Sequence, residues 1–120
     1  MLWHKIQGAG GVGGAIPIEY VGGYTQAPGN VNPVTFTFGG NLTGGLSSSP
    51  QQGDIVFIAV GASNSSQVNW TNSSGFTLLD SYYANNTGTT ADTTFSIFYK
   101  IMGPTPNTSI TISGGGFKVI

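Results

Sequence analysis

Short apolar runs separated by turn-forming residues constrain the fold of this chain more than any other feature. The runs VTFTF at 34–38, DIVFIAV at 54–60 and TFSIFYKI at 94–101 are short, and no segment repeats apolar side chains at the i, i+3, i+4 and i+7 positions of an amphipathic helix. Clusters rich in Gly, Pro, Asn and Ser, such as QAPGNVNP and SSSPQQGD, lie between the runs. The pattern predicts an all-β chain.

The spacing of these runs predicts an antiparallel β-sandwich or jelly roll of about seven or eight short strands, with an extended Gly-rich N-terminal arm. Residues 1–17 form the predicted arm and residues 18–120 the β-sandwich domain. The final FKVI either completes the sheet or continues into a longer polypeptide. The predicted strands are Ile18 to Tyr24, Val34 to Phe38, Ile55 to Val60, Phe76 to Tyr83, Thr94 to Ile101, Ser109 to Ser113 and Phe117 to Ile120.

Alternation along the strands predicts which side chains face the core, because successive side chains point to opposite faces. In VTFTF the valine and both phenylalanines are expected inside and the threonines outside. In the run at 94–101 the mainly apolar face consists of Phe95, Ile97, Tyr99 and Ile101. Phe98 is then the misfit on the opposite face, expected to cover a sheet edge or meet a partner. The run IVFIAV is apolar on both faces, which fits either a central covered strand or a strand whose outer face is buried in an assembly.

Scarcity of charge excludes several classes of partner and activity. The chain has three Lys or Arg, four Asp or Glu and one His among 120 residues, for a net charge of -1. Nucleic-acid binding needs clustered cations, so no nucleic-acid partner is expected. General acid-base catalysis needs several titratable groups in one site, so we expect that the chain is not an enzyme and has no cofactor. A metal site would need several ligand side chains, so none is expected either. No apolar run is long enough for a secretion signal or a membrane span, and neither is expected.

The N-terminal glycines match the pattern G-x-G-x-x-G at Gly8, Gly10 and Gly13. A dinucleotide site would need a strand before them, a helix after them and an acidic residue about 20 positions later, whereas Pro17 and IEYVGGY follow. We interpret the segment as a docking arm, in which a short apolar N-terminal stretch is joined to the domain by a flexible glycine-rich linker. The alternative is a first strand folded back on the chain's own sheet. The predicted arm residues are Leu2, Trp3, Ile6, Gly8, Gly10, Gly11, Gly13 and Gly14.

Neutral polar loops that carry aromatic rings are typical of glycan recognition, because rings stack on sugar faces while amides bind hydroxyls. The candidate glycan contacts are Trp70, Tyr82 and Tyr83. For Trp70 the alternative is that it covers the end of the core.

Three consecutive motifs, GDIVFIAVGAS, SGFTLLDSYY and FSIFYKIMGPTPNTSITIS, resemble β-sandwich domains of tailed-bacteriophage virion proteins of the tail-fibre or appendage type. The resemblance covers roughly Gly53 to Ser113, and the start LWHKIQGAGG also resembles phage virion N-termini. It implies a non-enzymatic structural protein on the surface of the phage particle, a homo-oligomer that is often a trimer, bound to other virion proteins. The alternatives are a capsid decoration protein and a host-recognition module that binds a surface glycan.

Overall fold

The computed structural model describes residues 3–6, 17–64, 66–85 and 92–114, with only the backbone described at 3–6 and 64. Every regular element in these residues is a strand, as the sequence predicts. The strands are β1 (Trp3–Ile6), β2 (Ile18–Tyr20), β3 (Val34–Thr37), β4 (Asp54–Asn64), β5 (Thr71–Asn72), β6 (Thr77–Ala84), β7 (Asp92–Ile101) and β8 (Ser109–Ser113).

The strands form two antiparallel sheets. The larger sheet has the order β2-β1-β4-β7-β6 and the smaller one the order β3-β8-β5. Successive strands from β3 to β6 alternate between the two sheets: β3 and β5 lie in the smaller sheet, and β4 and β6 lie in the larger one. β7 pairs with β6 in the larger sheet, and β8 lies in the smaller sheet. As a result β3 pairs with β8 in one sheet while β4 pairs with β7 in the other.

One hydrophobic core takes side chains from both sheets. Phe36 on β3 and Phe38 just after it are buried, whereas Thr35 and Thr37 are exposed, so the predicted faces of this run are confirmed. The larger sheet contributes β4 side chains from its inner face and Phe98 from β7. The buried β4 residues are Val56, Ile58, Val60 and Ala62.

The expected orientation of β7 is wrong. Phe98 is 2% exposed and belongs to the core, whereas Phe95 is 42% exposed on the outside of the sheet. The register explains the inversion, because Phe98 lies opposite Ile58, which is fully buried on β4. The polar inner residue Thr94 is accommodated by a hydrogen bond from the backbone N–H of Val68, with 3.1 Å between N and Oγ1.

The strand boundaries follow the sequence closely for the later strands and less closely for the earlier ones. The predicted strand Ser109 to Ser113 is confirmed with the same ends, while the strand predicted from Ile18 ends at Tyr20. The short strand β5 lies between the predicted strands Ile55 to Val60 and Phe76 to Tyr83, where no strand was predicted. The predicted strand Phe117 to Ile120 lies outside the described residues. β4 runs four residues beyond its predicted end at Val60.

Two polar side chains anchor one end of the antiparallel β4–β7 pair, where β4 begins and β7 ends. The Asp54 carboxylate accepts a hydrogen bond from the Gln51 backbone N–H at 2.6 Å, which closes the turn into β4. At the end of β7, Lys100 Nζ donates to the Ser74 carbonyl at 2.9 Å and to Asn107 Oδ1 at 2.6 Å. Lys100 therefore ties two loops together.

Candidate functional site

The outward side of the β4–β7–β6 sheet carries a continuous band of apolar side chains. Directly opposed residues share a face of the sheet, and the register opposes Ile55 to Ile101, Phe57 to Tyr99 and Ala59 to Ile97. On the other side of β7, Tyr82 of β6 lies opposite Phe95. We call this band the outer face; its residues are Ile55, Phe57, Ala59, Tyr82, Phe95, Ile97, Tyr99 and Ile101.

Several outer-face side chains are well exposed. The exposed fraction is 62% for Ile101 and 68% for Tyr82. Phe57 and Tyr99 are half-buried against each other, with ring centroids 6.4 Å apart. Asp80 lies on the edge strand β6, opposite Ile97 of β7. Among the described residue pairs of β4, β6 and β7, it is the one charged residue on this face. The face is therefore apolar and nearly neutral.

The dimensions of the outer face follow from strand geometry. Strand rise of about 3.4 Å per residue and strand spacing of about 4.8 Å make the band from Thr93 to Ile101 across three strands about 27 Å by 14 Å, or close to 400 Å². Exposed apolar patches of a few hundred Å² on soluble proteins commonly mark interaction sites. The footprint of the outer face, which also contains Thr77 and Asp80 on β6, reaches that size.

The three predicted glycan contacts lie in different surroundings and do not form one surface. Trp70 is 6% exposed and belongs to the core, and Tyr82 is on the outer face. Tyr83 lies opposite Thr94, on the inward side of the sheet, and its hydroxyl donates a hydrogen bond to Asp92 Oδ2 at 2.6 Å. This bond, together with desolvation and the charge of Asp92, raises the pKa of Tyr83 above its usual value.

The predicted docking arm is described only at Trp3–Ile6 and at its last residue, Pro17. The backbone of Trp3–Ile6 forms β1, which pairs with β2 on one side and with β4 on the other, opposing Trp3 to Val56. For this stretch the structure agrees with the alternative of a first strand folded back on the chain's own sheet. The other arm residues, Leu2, Gly8, Gly10, Gly11, Gly13 and Gly14, lie outside the described residues.

Sequence reasoning missed a second surface feature, an open groove beside β2. Tyr20 and Tyr24 line it together with Asn41 and Thr43. The sequence offered one signal, two tyrosines flanking a Gly-Gly pair in YVGGY. The other wall comes from a loop about 20 residues later, and that juxtaposition is not visible in the sequence.

Within the described part of the chain, no three His, Cys, Asp or Glu residues are grouped so that they could hold a metal ion. The same residues contain no helix that is long and apolar enough to cross a membrane. Comparison of the chain with protein-family models, curated proteins and solved structures finds no significant match.

Proposed function

We propose that this chain is a structural module of a tailed-bacteriophage particle, of the tail-fibre or appendage type, and that copies of it associate through the outer face. The apolar outer face of the β4–β7–β6 sheet is the observation that carries the proposal. A chain with so few charges exposes these side chains on a broad, nearly neutral surface. Burying them against another copy removes apolar area from water, and Asp80 on the edge strand β6 is the one charge in the described registers of this face that would lie near the contact.

The size of the outer face favours an assembled setting over a permanent dimer in solution. Two faces of about 400 Å² would bury about 800 Å², below the roughly 1,200–2,000 Å² of stable specific interfaces. Association through this face alone is therefore weak. In a particle, where neighbouring copies are held at high local concentration, such weak contacts are sufficient.

The strand order supports the same proposal. β3 pairs with β8 and β4 with β7, so the chain behaves as a long two-stranded ribbon folded across two sheets. In our interpretation this is a jelly-roll-like sandwich with eight strands, five in one sheet and three in the other. Jelly rolls are common in viral capsid and lectin domains. Together with the resemblance of residues 53–113 to phage appendage domains, this favours a virion role.

Self-association is tested by sedimentation equilibrium across about 10 µM to 1 mM, the range expected of a weak contact. We expect the native chain to associate with rising concentration and the double variant Phe95→Ser, Ile97→Thr to stay monomeric. Leu46→Ser is the matched control, because Leu46 is 67% exposed but lies in the β3–β4 loop. A native chain that stays monomeric throughout refutes self-association through this face.

The virion setting is tested separately, by immunogold electron microscopy of particles labelled on this chain. Label on tails or fibres supports the proposal. Label on the head supports the capsid-decoration alternative instead, and particles without label refute both.

A further inference from the structure

The groove beside β2 is a wide depression of about 610 Å³ that is open to solvent. Its volume is sufficient for a small molecule, which would lie along the surface and not in an enclosed pocket. It lies between the segment that follows β2 and the loop that joins β3 to β4. The lining residues are Tyr20, Gly23, Tyr24, Thr25, Asn41, Thr43 and Gly44.

Backbone hydrogen bonds hold the two walls of the groove together. The Gly23 N–H donates to the Thr43 carbonyl and the Thr43 N–H to the Gly23 carbonyl, each at 3.0 Å. The Ser47 N–H also donates to the Val21 carbonyl at 3.0 Å. A Cβ on Gly45 would collide with the Val21 carbonyl group, so this close approach requires glycine. The groove is therefore preformed by main-chain contacts.

The chemistry of the groove combines aromatic surface with neutral hydrogen-bonding groups. Tyr20 is 36% exposed, and Tyr24 packs against the core while its hydroxyl donates to Gln26 Oε1 at 3.0 Å. Asn41 and Thr43 are exposed, and the Asn41 amide is held by a hydrogen bond from Nδ2 to the Thr37 carbonyl at 3.1 Å. None of the lining residues is charged. Such a surface suits a ligand with both C–H faces and hydroxyls and no charge.

A smaller recess of about 120 Å³ shares Tyr24 and Thr25 with the groove. Its lining combines three buried core side chains, Phe36, Ile58 and Val60, with the polar residues Thr25 and Gln26. A recess of mixed polarity next to a hydrogen-bonding groove favours a polar ligand with a short branch that carries both a hydrogen-bonding group and a methyl group.

We propose that this groove binds a neutral oligosaccharide containing an N-acetylated hexosamine. Tyr20 stacks on a sugar ring, Asn41 and Thr43 bond its hydroxyls, and the acetamido methyl group enters the recess beside Tyr24. This site goes beyond the assembly role and is independent of it, because the groove and the outer face are lined by different residues, apart from Ala59 at the edge of the recess. It is also distinct from the surroundings of Trp70, Tyr82 and Tyr83.

The test is an NMR titration of the isotope-labelled full chain with chitotriose, with maltotriose as the matched sugar without acetamido groups. We expect chitotriose to shift amide signals of residues 20–25 and 41–44, and maltotriose to bind more weakly. Absence of shifts with chitotriose up to about 10 mM, a concentration at which even weak binding is seen, overturns the proposal. Shifts centred on Tyr82, or equal affinity for maltotriose, overturn it as well.

Variants localise the effect. Tyr20→Ala should weaken chitotriose binding about three- to tenfold, the loss expected from one aromatic contact, whereas Tyr20→Phe should stay within about twofold because the ring remains. Tyr82→Ala is the control, an exposed tyrosine on the outer face, and should bind like the native chain. If Tyr20→Ala retains native affinity and an unchanged thermal unfolding temperature, Tyr20 does not contact the ligand and the proposal fails.

Discussion

The inverted orientation of β7 makes a direct prediction about two phenylalanines three residues apart. Phe98 is 2% exposed and packs in the core, so Phe98→Ala should leave a cavity. Phe-to-Ala changes at such sites cost about 3–5 kcal/mol, a large part of the roughly 6–18 kcal/mol expected for 120 residues. Phe95 is 42% exposed. Burying a large apolar side chain completely stabilises the fold by about 1.5–3 kcal/mol, and Phe95 is only a little more than half buried. Phe95→Ala should therefore lower the free energy of unfolding by about 1–2 kcal/mol, and it leaves no enclosed cavity.

The assay is urea unfolding of both variants, followed by tryptophan fluorescence. With a slope of about 2 kcal/mol per M of urea, Phe98→Ala should lower the midpoint by about 2 M and Phe95→Ala by no more than about 1 M. Low protein concentration is needed, because association through the outer face would add stability that depends on Phe95. A Phe95→Ala variant that loses as much stability as Phe98→Ala would show that the face assignment is reversed.

Three further changes test other contacts in the described residues. Gly45→Ala should lower the free energy of unfolding by about 2 kcal/mol or more, because its Cβ would collide with the Val21 main chain; a thermal melt equal to that of the native chain would contradict this close approach. Because the pKa of Tyr83 is raised in the folded state, the stabilisation that its hydroxyl provides is fully present below pH 10. This stabilisation is lost as the pH rises through the folded-state pKa of Tyr83. The stability difference between the native chain and Tyr83→Phe, measured by urea unfolding from pH 8 to 12, should therefore change above pH 10, and a constant difference would argue against the bond to Asp92. Lys100→Met should lower the free energy of unfolding by about 2 kcal/mol, measured by urea unfolding, because two charged hydrogen bonds are lost. A decrease below about 0.5 kcal/mol would show that these two bonds contribute little to stability.

The secondary-structure class was readable because it depends on local rules. Alternation in VTFTF, together with the turn residues on either side, predicted β3 and its buried side chains. The same rules located β8 with its correct ends. They missed β5, because two residues are too few to show a pattern and are held as a strand only by pairing with β8.

The candidate sites depended on contacts that local rules do not describe. The outer face was anticipated only as one of two options for IVFIAV, and the groove was not anticipated at all. Its walls, at Tyr20 and at Thr43, are brought together by a bridge between segments that the sequence separates by about 20 residues.

The amino-acid sequence alone determined that this chain is built from short antiparallel strands, because alternation and turn chemistry act between near neighbours. It also determined that the surface is nearly uncharged. Only the tertiary structure decided which face of β7 points inward. That strand has aromatic or aliphatic groups on both sides, and the register with Ile58 of β4, rather than the count of apolar residues, selects the side of Phe98 for the core.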